Sequence, residues 1–411
     1  MRVLIVGAGG VGAAFASIAA RRPVFTDIVL TDIDGNRAGR AAAKANSDRV
    51  RSTRVDASDR ADIVELAHTM RADIIVNACD PRLNPPIFDA AFQAGCHYLD
   101  MAMHMSAPHP TNPHGEVGVM LGDGQFAVTD QWVERGQLAL CAMGVEPGLS
   151  DVLARYASDH LFSRIDDIGV RDGSDLTIAS TTGEDLGFAP TFSIWTTIEE
   201  CLNPPIIWER DRGWFTTAPF SEPETFVFPE GIGPLGCVNV EHEEVVLMPR
   251  WLDVGRVTFK YGLGDEFIDV LRTLHMLGLD STKPVMVRGV EVSPRDVVAA
   301  ILPNPAELGD RMRGRTCAGS LVRGLGTDGA PRESYLYQIV DNEWTMRTWG
   351  HQAVVWQTAV HPVVACELIA EGVWSGAGVM GPEAFSADPF LDLLPAHGVS
   401  WSLEERTPSL A

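Results

Sequence analysis

Val3-Leu4-Ile5-Val6-Gly7-Ala8-Gly9-Gly10-Val11-Gly12 is a short apolar run that breaks into glycines and reopens as a helix. In this setting Gly7 permits a tight turn, Gly9 lets backbone approach a diphosphate, and Gly12 lets the helix pack closely on the strand. Gly10 and Val11 lie at the helix start, whose free amides and dipole favour an anion. Twenty residues after Gly12, Asp32 ends a second β-rich run, Asp27-Ile28-Val29-Leu30-Thr31. A carboxylate there accepts the hydroxyls of an adenosine ribose and repels the extra phosphate of NADP. The pattern predicts a nicotinamide dinucleotide site that favours NAD. Arg37 and Arg40 leave NADP acceptance open, and a plain turn built by Asp32, Asp34 and Gly35 is the alternative use of the carboxylate.

Outward from this turn, β-rich and helical stretches alternate. Arg51 to Asp56 is followed by a helical stretch from Ala61 to Met70, and Asp73 to Ala78 by one from Pro86 to Ala94; His97 to Asp100 and Leu138 to Ala142 read as later strands. Serial βαβ units of this length force parallel strands and right-handed crossovers. The fold class is therefore α/β, an N-terminal Rossmann doubly wound parallel sheet with its ligand crevice at the carboxyl ends of the strands. Asp56 and Ala57 follow the third strand, where they can reach the adenine edge; capping or turning the chain is the equal alternative for Asp56. Ala78 and Cys79 follow the fourth, on the nicotinamide side, and Cys79 reads as small packing, since hydride transfer needs no thiolate.

Met101 to Gln125, rich in Pro, Gly and His, is long for a connection and reads as a lid or binding loop. Beyond Gly144 the pattern changes to a helix, Asp151 to His160, and then to β-rich pieces at 166–172, 213–220, 224–228, 243–249 and 256–263. These predict a second, α+β mixed-sheet domain over 149–351, after a dinucleotide-binding domain over 1–148. A last apolar helix, Ala359 to Glu371, opens a stretch without strand signals, so 352–400 is expected to return to the first unit and complete it.

The chain has 411 residues, 45% of them apolar, with 32 Lys and Arg against 55 Asp and Glu, a net charge of −23. That balance repels a phosphate backbone and an anionic bilayer, which argues against nucleic-acid and membrane partners. It would attract a cationic substrate, although a solvated acidic surface produces the same excess. No run of about 18 apolar residues suggests a membrane span. Seven scattered cysteines without a CxxC pair suit buried, reduced thiols and a cytoplasmic protein.

Three segments in order, VGAGGVG from Val6, NACDPRLNPPIFDAAFQAGCHYLDMA from Asn77 and GVEPGLSDVLARYASD from Gly144, resemble the saccharopine dehydrogenase-like family over the whole chain. Within it, the segments from Lys283 to Thr316, Ser334 to Glu343 and Phe228 to Glu244 are similar to the carboxynorspermidine (carboxyspermidine) dehydrogenase branch. The resemblance implies a homodimer of two-domain subunits and hydride transfer at a CH–NH bond. A diamine and an amino-acid semialdehyde would condense and be reduced, generally with NADPH; Asp32 departs from the residues expected of an NADP enzyme. Oxidative deamination in the manner of L-lysine 6-dehydrogenase and a non-catalytic nucleotide sensor are the rival readings.

The resemblance marks His242 and Glu243, in Glu241-His242-Glu243-Glu244, as an acid/base and ammonium-binding pair, since imine formation needs a proton shuttle near neutral pH. A polar strand end is the plainer reading. Asp100 matches the family's YLD motif at a strand's carboxyl edge, with loop bracing as its alternative. Asp172 and Glu146 are carboxylates suited to a cationic amine, or turn residues. Trp195 could face an ammonium through its ring or be core, and Arg82 and Arg347 could bind a substrate carboxylate or form ordinary ion pairs. His104, His109 and His114 recur every five residues among prolines, a spacing that makes no helix face and argues against metal.

Overall fold

The computed structural model describes residues 1–179 and 190–408. Seven parallel strands form the first sheet, in the order Gly378–Met380, Leu138–Leu140, His97–Asp100, Ile74–Asn77, Arg2–Val6, Asp27–Asp32 and Val50–Arg54. Winding reverses between Arg2–Val6 and Ile74–Asn77, which is where a doubly wound sheet opens its crevice. Val3, Leu4, Ile5, Ile74, Ile75 and Val76 are wholly buried, as strands covered by helices on both faces must be.

Glycine is obligatory at the turn after the first strand. Gly7 has φ +105°, and a Cβ on it would stand 2.5 Å from Ala78 O; a Cβ on Gly12 would stand 1.9 Å from Gly7 O. Helix Gly10–Ala19 thus begins hard against the strand, with Gly9 as an N-cap that supplies no side chain.

The second sheet is mixed. It runs Gly213–Thr216, Ile206–Glu209, Val254–Gly262, Phe162–Ser174, Arg315–Gly326, Pro331–Asp341 and Ser402–Arg406, with Gly233–Asn239 joined to Val254–Gly262 and Glu224–Phe228 joined to Gly233–Asn239. Val254–Gly262 and Phe162–Ser174 are parallel, and this pairing sets Tyr261 opposite Asp172.

Three expectations are corrected. Residues 243–249, expected as a strand, enter helix Glu244–Trp251; Glu244 to Met248 are all buried, and a short run apolar on every side reads alike as helix or strand. The C-terminal stretch, expected to lack strands, supplies the edge strand Gly378–Met380 to the first sheet and Ser402–Arg406 to the second. Its helix starts earlier than expected, at Ala353, because Gln357, His361 and Glu367 interrupt the apolar pattern yet are buried. Ala353–Ala370 is the one helix among the described residues long and apolar enough to cross a membrane, and 78% of it is buried inside the protein, as a core helix is.

That helix packs along Gly10–Ala19 and is pinned beside it. Glu367 accepts from Arg22 Nε and Nη2 at 2.8 and 2.9 Å and faces His397 Nε2 at 3.0 Å. The stretch from Met101 to Gln125 spans the two sheets: Met103 N donates to Glu243 Oε1 at 3.1 Å and Thr216 Oγ1 donates to Glu116 O at 3.0 Å.

Glu367→Ala strands the Arg22 guanidinium beside a helix it no longer pins and should cost about 3 kcal/mol of unfolding free energy. Urea denaturation measures it, and a loss below about 1 kcal/mol would mean that apolar packing alone seats the helix.

Candidate active site

A cleft of about 740 Å³ lies over the carboxyl ends of the parallel strands, walled by both sheets. Its first end is the glycine turn. Gly9, Gly10 and Val11 line it, facing Asn77, Ala78, Cys79 and Asp80. A Cβ on Gly9 would meet nothing within 4 Å, so backbone there is open to a ligand. A diphosphate suits this end, where helix amides are uncapped and no side chain stands in the way.

Asp32 lies below the turn, its carboxylate accepting from Ala8 N at 3.0 Å and Asp34 N at 2.9 Å, with Arg37 Nη1 at 3.6 Å. Each oxygen keeps a lone pair for a ribose hydroxyl. Asp56 accepts from Ser58 N at 2.9 Å and Ser58 Oγ at 2.7 Å, the turn-forming alternative, with Ala57 buried next to it. Cys79 donates its thiol to Val6 O at 3.3 Å, and burial pushes that thiol up to about 12. A thiol held protonated at neutral pH is not a nucleophile, although it lines the cleft.

The inner end is acidic. Glu146 comes from the turn before helix Leu149–His160, Asp172 from strand Phe162–Ser174, Glu200 from helix Ile194–Leu202 and Glu243 from the residue preceding helix Glu244–Trp251. All four line the cleft with Tyr261, and no lysine, arginine or histidine does so among the described residues. Glu146 and Asp172 are hydrogen-bonded to each other. Burial pushes Asp172 and Glu243 up to about 7, and burial, reinforced by neighbouring carboxylates, drives Glu146 and Glu200 well above the usual range. Glu146 Oε1 and Glu200 Oε2 are buried without a hydrogen-bond partner, a condition proteins rarely leave in place without a ligand or a proton.

His242 stands behind this wall and is absent from the cleft lining. Its ring stacks on Phe259 at 3.7 Å and 4°, and Nδ1 is hydrogen-bonded to Glu244, which also accepts from Ser150 Oγ at 2.8 Å. Burial lowers His242 to about 4, so it is neutral at pH 7, while burial raises Glu244 to about 8.

Three other sequence candidates turn out to be engaged elsewhere. Asp100 accepts from Ala142 N at 2.6 Å, Asn84 Nδ2 at 3.0 Å and Gln125 Nε2 at 2.8 Å; fully buried, it braces the Met101 to Gln125 loop and does not reach the cleft. Arg82 makes two bonds to Asp80, at 2.8 and 2.9 Å. Trp195 lines the cleft, but the Arg82 and Arg295 guanidiniums already sit over its ring at 4.1 and 4.8 Å. Arg347 is exposed on helix Asn342–Trp349. His104 packs edge-on against Phe88 and His109 lies 3.7 Å from Glu116. Glu200 and Tyr261 were not singled out from the sequence; an acid at each end of Glu199-Glu200 gave no sign of which one faces inward.

The glycine turn, the carboxylate below it and the crevice at the switch point define the class, a nicotinamide-dinucleotide-dependent oxidoreductase. The profile described as "Saccharopine dehydrogenase NADP binding domain" matches residues 3–140 and that of the "Saccharopine dehydrogenase C-terminal domain" residues 144–399. The chain belongs to the saccharopine dehydrogenase family. It is 29% identical over 418 residues to "Carboxynorspermidine synthase" of Vibrio cholerae serotype O1, covering 99% of this chain and 98% of that one. It is 28% identical over 401 residues to "Carboxyaminopropylagmatine dehydrogenase" of Synechocystis sp., covering 97% and 96%. Apo saccharopine dehydrogenase (L-Glu forming) of Saccharomyces cerevisiae shares the fold, with a TM-score of 0.70 at 12% identity over 99% of this chain and 100% of that one.

The buried carboxyls make a signed prediction. Their pKa values are raised in the folded protein, so the stability they confer is present at low pH and is lost as pH rises through about 7 to 8. His242 acts oppositely, but only below its unfolded value of 6.5. Between pH 6.5 and 8 the apoprotein Tm should therefore fall by several degrees. A flat or rising Tm in calorimetric scans over that window would show that the cluster is hydrated and ionised.

Proposed function

We propose that the chain reduces the imine formed between a polycationic amine and an amino-acid semialdehyde, with NAD(H) favoured over NADP(H). The carrying observation is the cleft lining, which holds Glu146, Asp172, Glu200 and Glu243 and no cationic side chain among the described residues. An ammonium group offsets the cost of ionising buried carboxyls; an anionic substrate would raise it. The names of the two relatives, a carboxynorspermidine synthase and a carboxyaminopropylagmatine dehydrogenase, both denote carboxylated polyamines, in keeping with this reading. The working unit is a homodimer in the cytoplasm, where seven free cysteines stay reduced.

In this reading Glu200 and Glu243 hold the distal ammonium. Asp172, which burial pushes up to about 7 and which is hydrogen-bonded to Glu146, takes a proton from the amine's ammonium, whose nitrogen then adds to the aldehyde carbon. A second nitrogen proton passes to the alkoxide so formed, and Asp172 returns the first to the resulting carbinolamine hydroxyl, which leaves as water and leaves a protonated imine. Bound NADH supplies a hydride to the imine carbon. The products are a secondary amine, water and NAD⁺. His242, held between Phe259 and Glu244, supports the wall behind Glu243, a smaller part than its sequence position suggested. The substrate carboxylate must find neutral donors, such as Thr191, Ser193, Thr196 or Asn304, because Arg82 and Arg347 do not line the cleft.

Incubation with NADH, aspartate semialdehyde and a panel of diamines and agmatine-type amines should consume NADH and yield a carboxylated secondary amine identified by mass. Ammonia release with NAD⁺ reduction on lysine, without any aldehyde, would replace this reading with oxidative deamination. Glu200→Gln should raise the amine KM by roughly 10- to 100-fold with NADH affinity unchanged; an unaltered KM would remove Glu200 from the site. Asp32→Ser should weaken NADH binding far more than NADPH binding in calorimetric titrations, and equal losses would end its role in cofactor choice.

A further inference from the structure

Asp100 stands outside the cleft, yet its carboxylate collects bonds from two side chains that lead back to it. Burial pushes it up to about 6 against the pull of its hydrogen-bond donors, so it is ionised at neutral pH. A buried charge is costly unless its donors satisfy it, and each donor is thereby fixed in orientation.

The first branch runs to the nucleotide end. Asn84 Nδ2 donates to Asp100 Oδ2 at 3.0 Å and to Ala102 O at 2.6 Å. Both are acceptors only, so this amide has one orientation and its Oδ1 must point the other way. There it accepts from the Tyr98 hydroxyl at 3.0 Å. That hydroxyl, its one proton spent, accepts from Asn77 Nδ2 at 3.1 Å, and Asn77 Oδ1 accepts from Cys79 N at 3.0 Å. Tyr98 and Asn84 are wholly buried, whereas Asn77 and Cys79 line the cleft with Gly9 and Gly10. A chain that begins on a carboxylate and ends on a peptide N–H can run in one sense only.

The second branch runs to the acidic wall. Gln125 Nε2 donates to the same Asp100 oxygen at 2.8 Å, and Gln125 Oε1 accepts from His104 N at 2.8 Å. The preceding peptide, Met103 N, donates to Glu243 Oε1 at 3.1 Å. One oxygen of Glu243 is thus held by a loop whose path Gln125 and Asp100 set.

We infer that Asp100 is a positioning residue whose charge sets the sense of both branches, holding the turn 77–80 and Glu243 in register across the cleft. In Asp100→Asn an NH2 group stands where Oδ2 was, so Asn84 and Gln125 meet it donor against donor. Reversing Asn84, Tyr98 and Asn77 in turn only carries the mismatch to Cys79 N, which cannot reverse. Turning the new amide about sets it against Ala142 N, which donates to the other oxygen. The nucleotide branch holds for any nicotinamide chemistry, whereas the Glu243 branch rests on the amine reading proposed above.

Asp100→Asn should weaken NADH binding about tenfold in calorimetric titrations and raise the amine KM by a similar factor, since a buried donor is left unpaired on each branch. Tyr98→Phe, whose ring stays edge-on to Phe88, should weaken NADH binding and leave the amine KM unchanged. Gln125→Met should do the reverse. Because Asp100 and Tyr98 act along one chain, the double variant should bind NADH no more weakly than the weaker single variant. In the apoprotein, Cys79 is the one cysteine not buried. A maleimide should label it about tenfold faster in Asp100→Asn and Tyr98→Phe, with the six buried cysteines untouched by mass spectrometry. Unchanged NADH affinity in either of these variants, losses that add in the double variant, or a Gln125→Met protein with weakened NADH binding or an unaltered amine KM would overturn the inference. If Asp100→Asn does not fold, the split between Tyr98→Phe and Gln125→Met decides it. A wild-type chain that turns over none of the amines would sink the amine reading alone, and the NADH affinities and Cys79 labelling would still decide the role of Asp100.

Discussion

The approach of the first helix to the first strand, where Gly12 stands against the carbonyl of Gly7, sets the geometry on which the cleft depends. A side chain at either position would push the helix off the sheet. With both absent, the helix N-terminus is carried to the carboxyl end of the strand, beside the point where winding reverses. Asp32 reaches the turn from one neighbouring strand and Asn77 from the other, so three parallel strands converge on one small volume. The C-terminal helix lies along the same first helix, and the chain goes on from it to supply edge strands to both sheets. The second sheet is thereby tied to the element that the glycines position.

The acidic wall is a constraint of a different kind. Four carboxyls from four separate elements meet without a counter-charge among the described residues of the cleft lining, and burial makes their ionised forms costly. The fold tolerates this by keeping them protonated or shared, as in the Glu146–Asp172 pair. The same arrangement places Asp172 and Glu243, both pushed up to about 7, in the cleft that opens on the glycine turn, as the proposed proton traffic at a carbon–nitrogen bond requires. Structure and proposed chemistry thus draw on one feature: a deficit of positive charge that a cationic amine would complete.

Much of the fold could be read from the sequence because its signals are local. The glycine turn, the alternation of strand and helix up to Ala142 and the mixed character of the second domain each rest on short stretches. The failures share a cause. Glu244 to Met248 is apolar on every side, so its conformation is decided by its surroundings. The strand Gly378–Met380 is three residues long and exists because the edge of Leu138–Leu140 is free to receive it. In the site, Glu146, Asp172 and Glu243 were legible as carboxylates in suggestive surroundings. Glu200 and Tyr261 were not, since only the parallel register of two distant strands and the inward face of one helix bring them there. His242 and Asp100 lie outside the cleft lining, because adjacency in sequence to a carboxylate does not say which side chain faces the cavity.

The absence of cationic side chains among the described residues of the cleft lining reaches beyond charge. The chain has only three lysines, Lys44, Lys260 and Lys283. Lys44 donates to Gly350 O, Lys260 is paired with Glu224 and Lys283 is exposed just before strand Val285–Val287, so none lines the cleft. In the proposed reaction, an aldehyde that enters would meet no lysine amine with which it could form a Schiff base. On that proposal the enzyme would be spared self-modification by a reactive carbonyl, and the nitrogen that captures the carbonyl would be the one the acidic wall brings in.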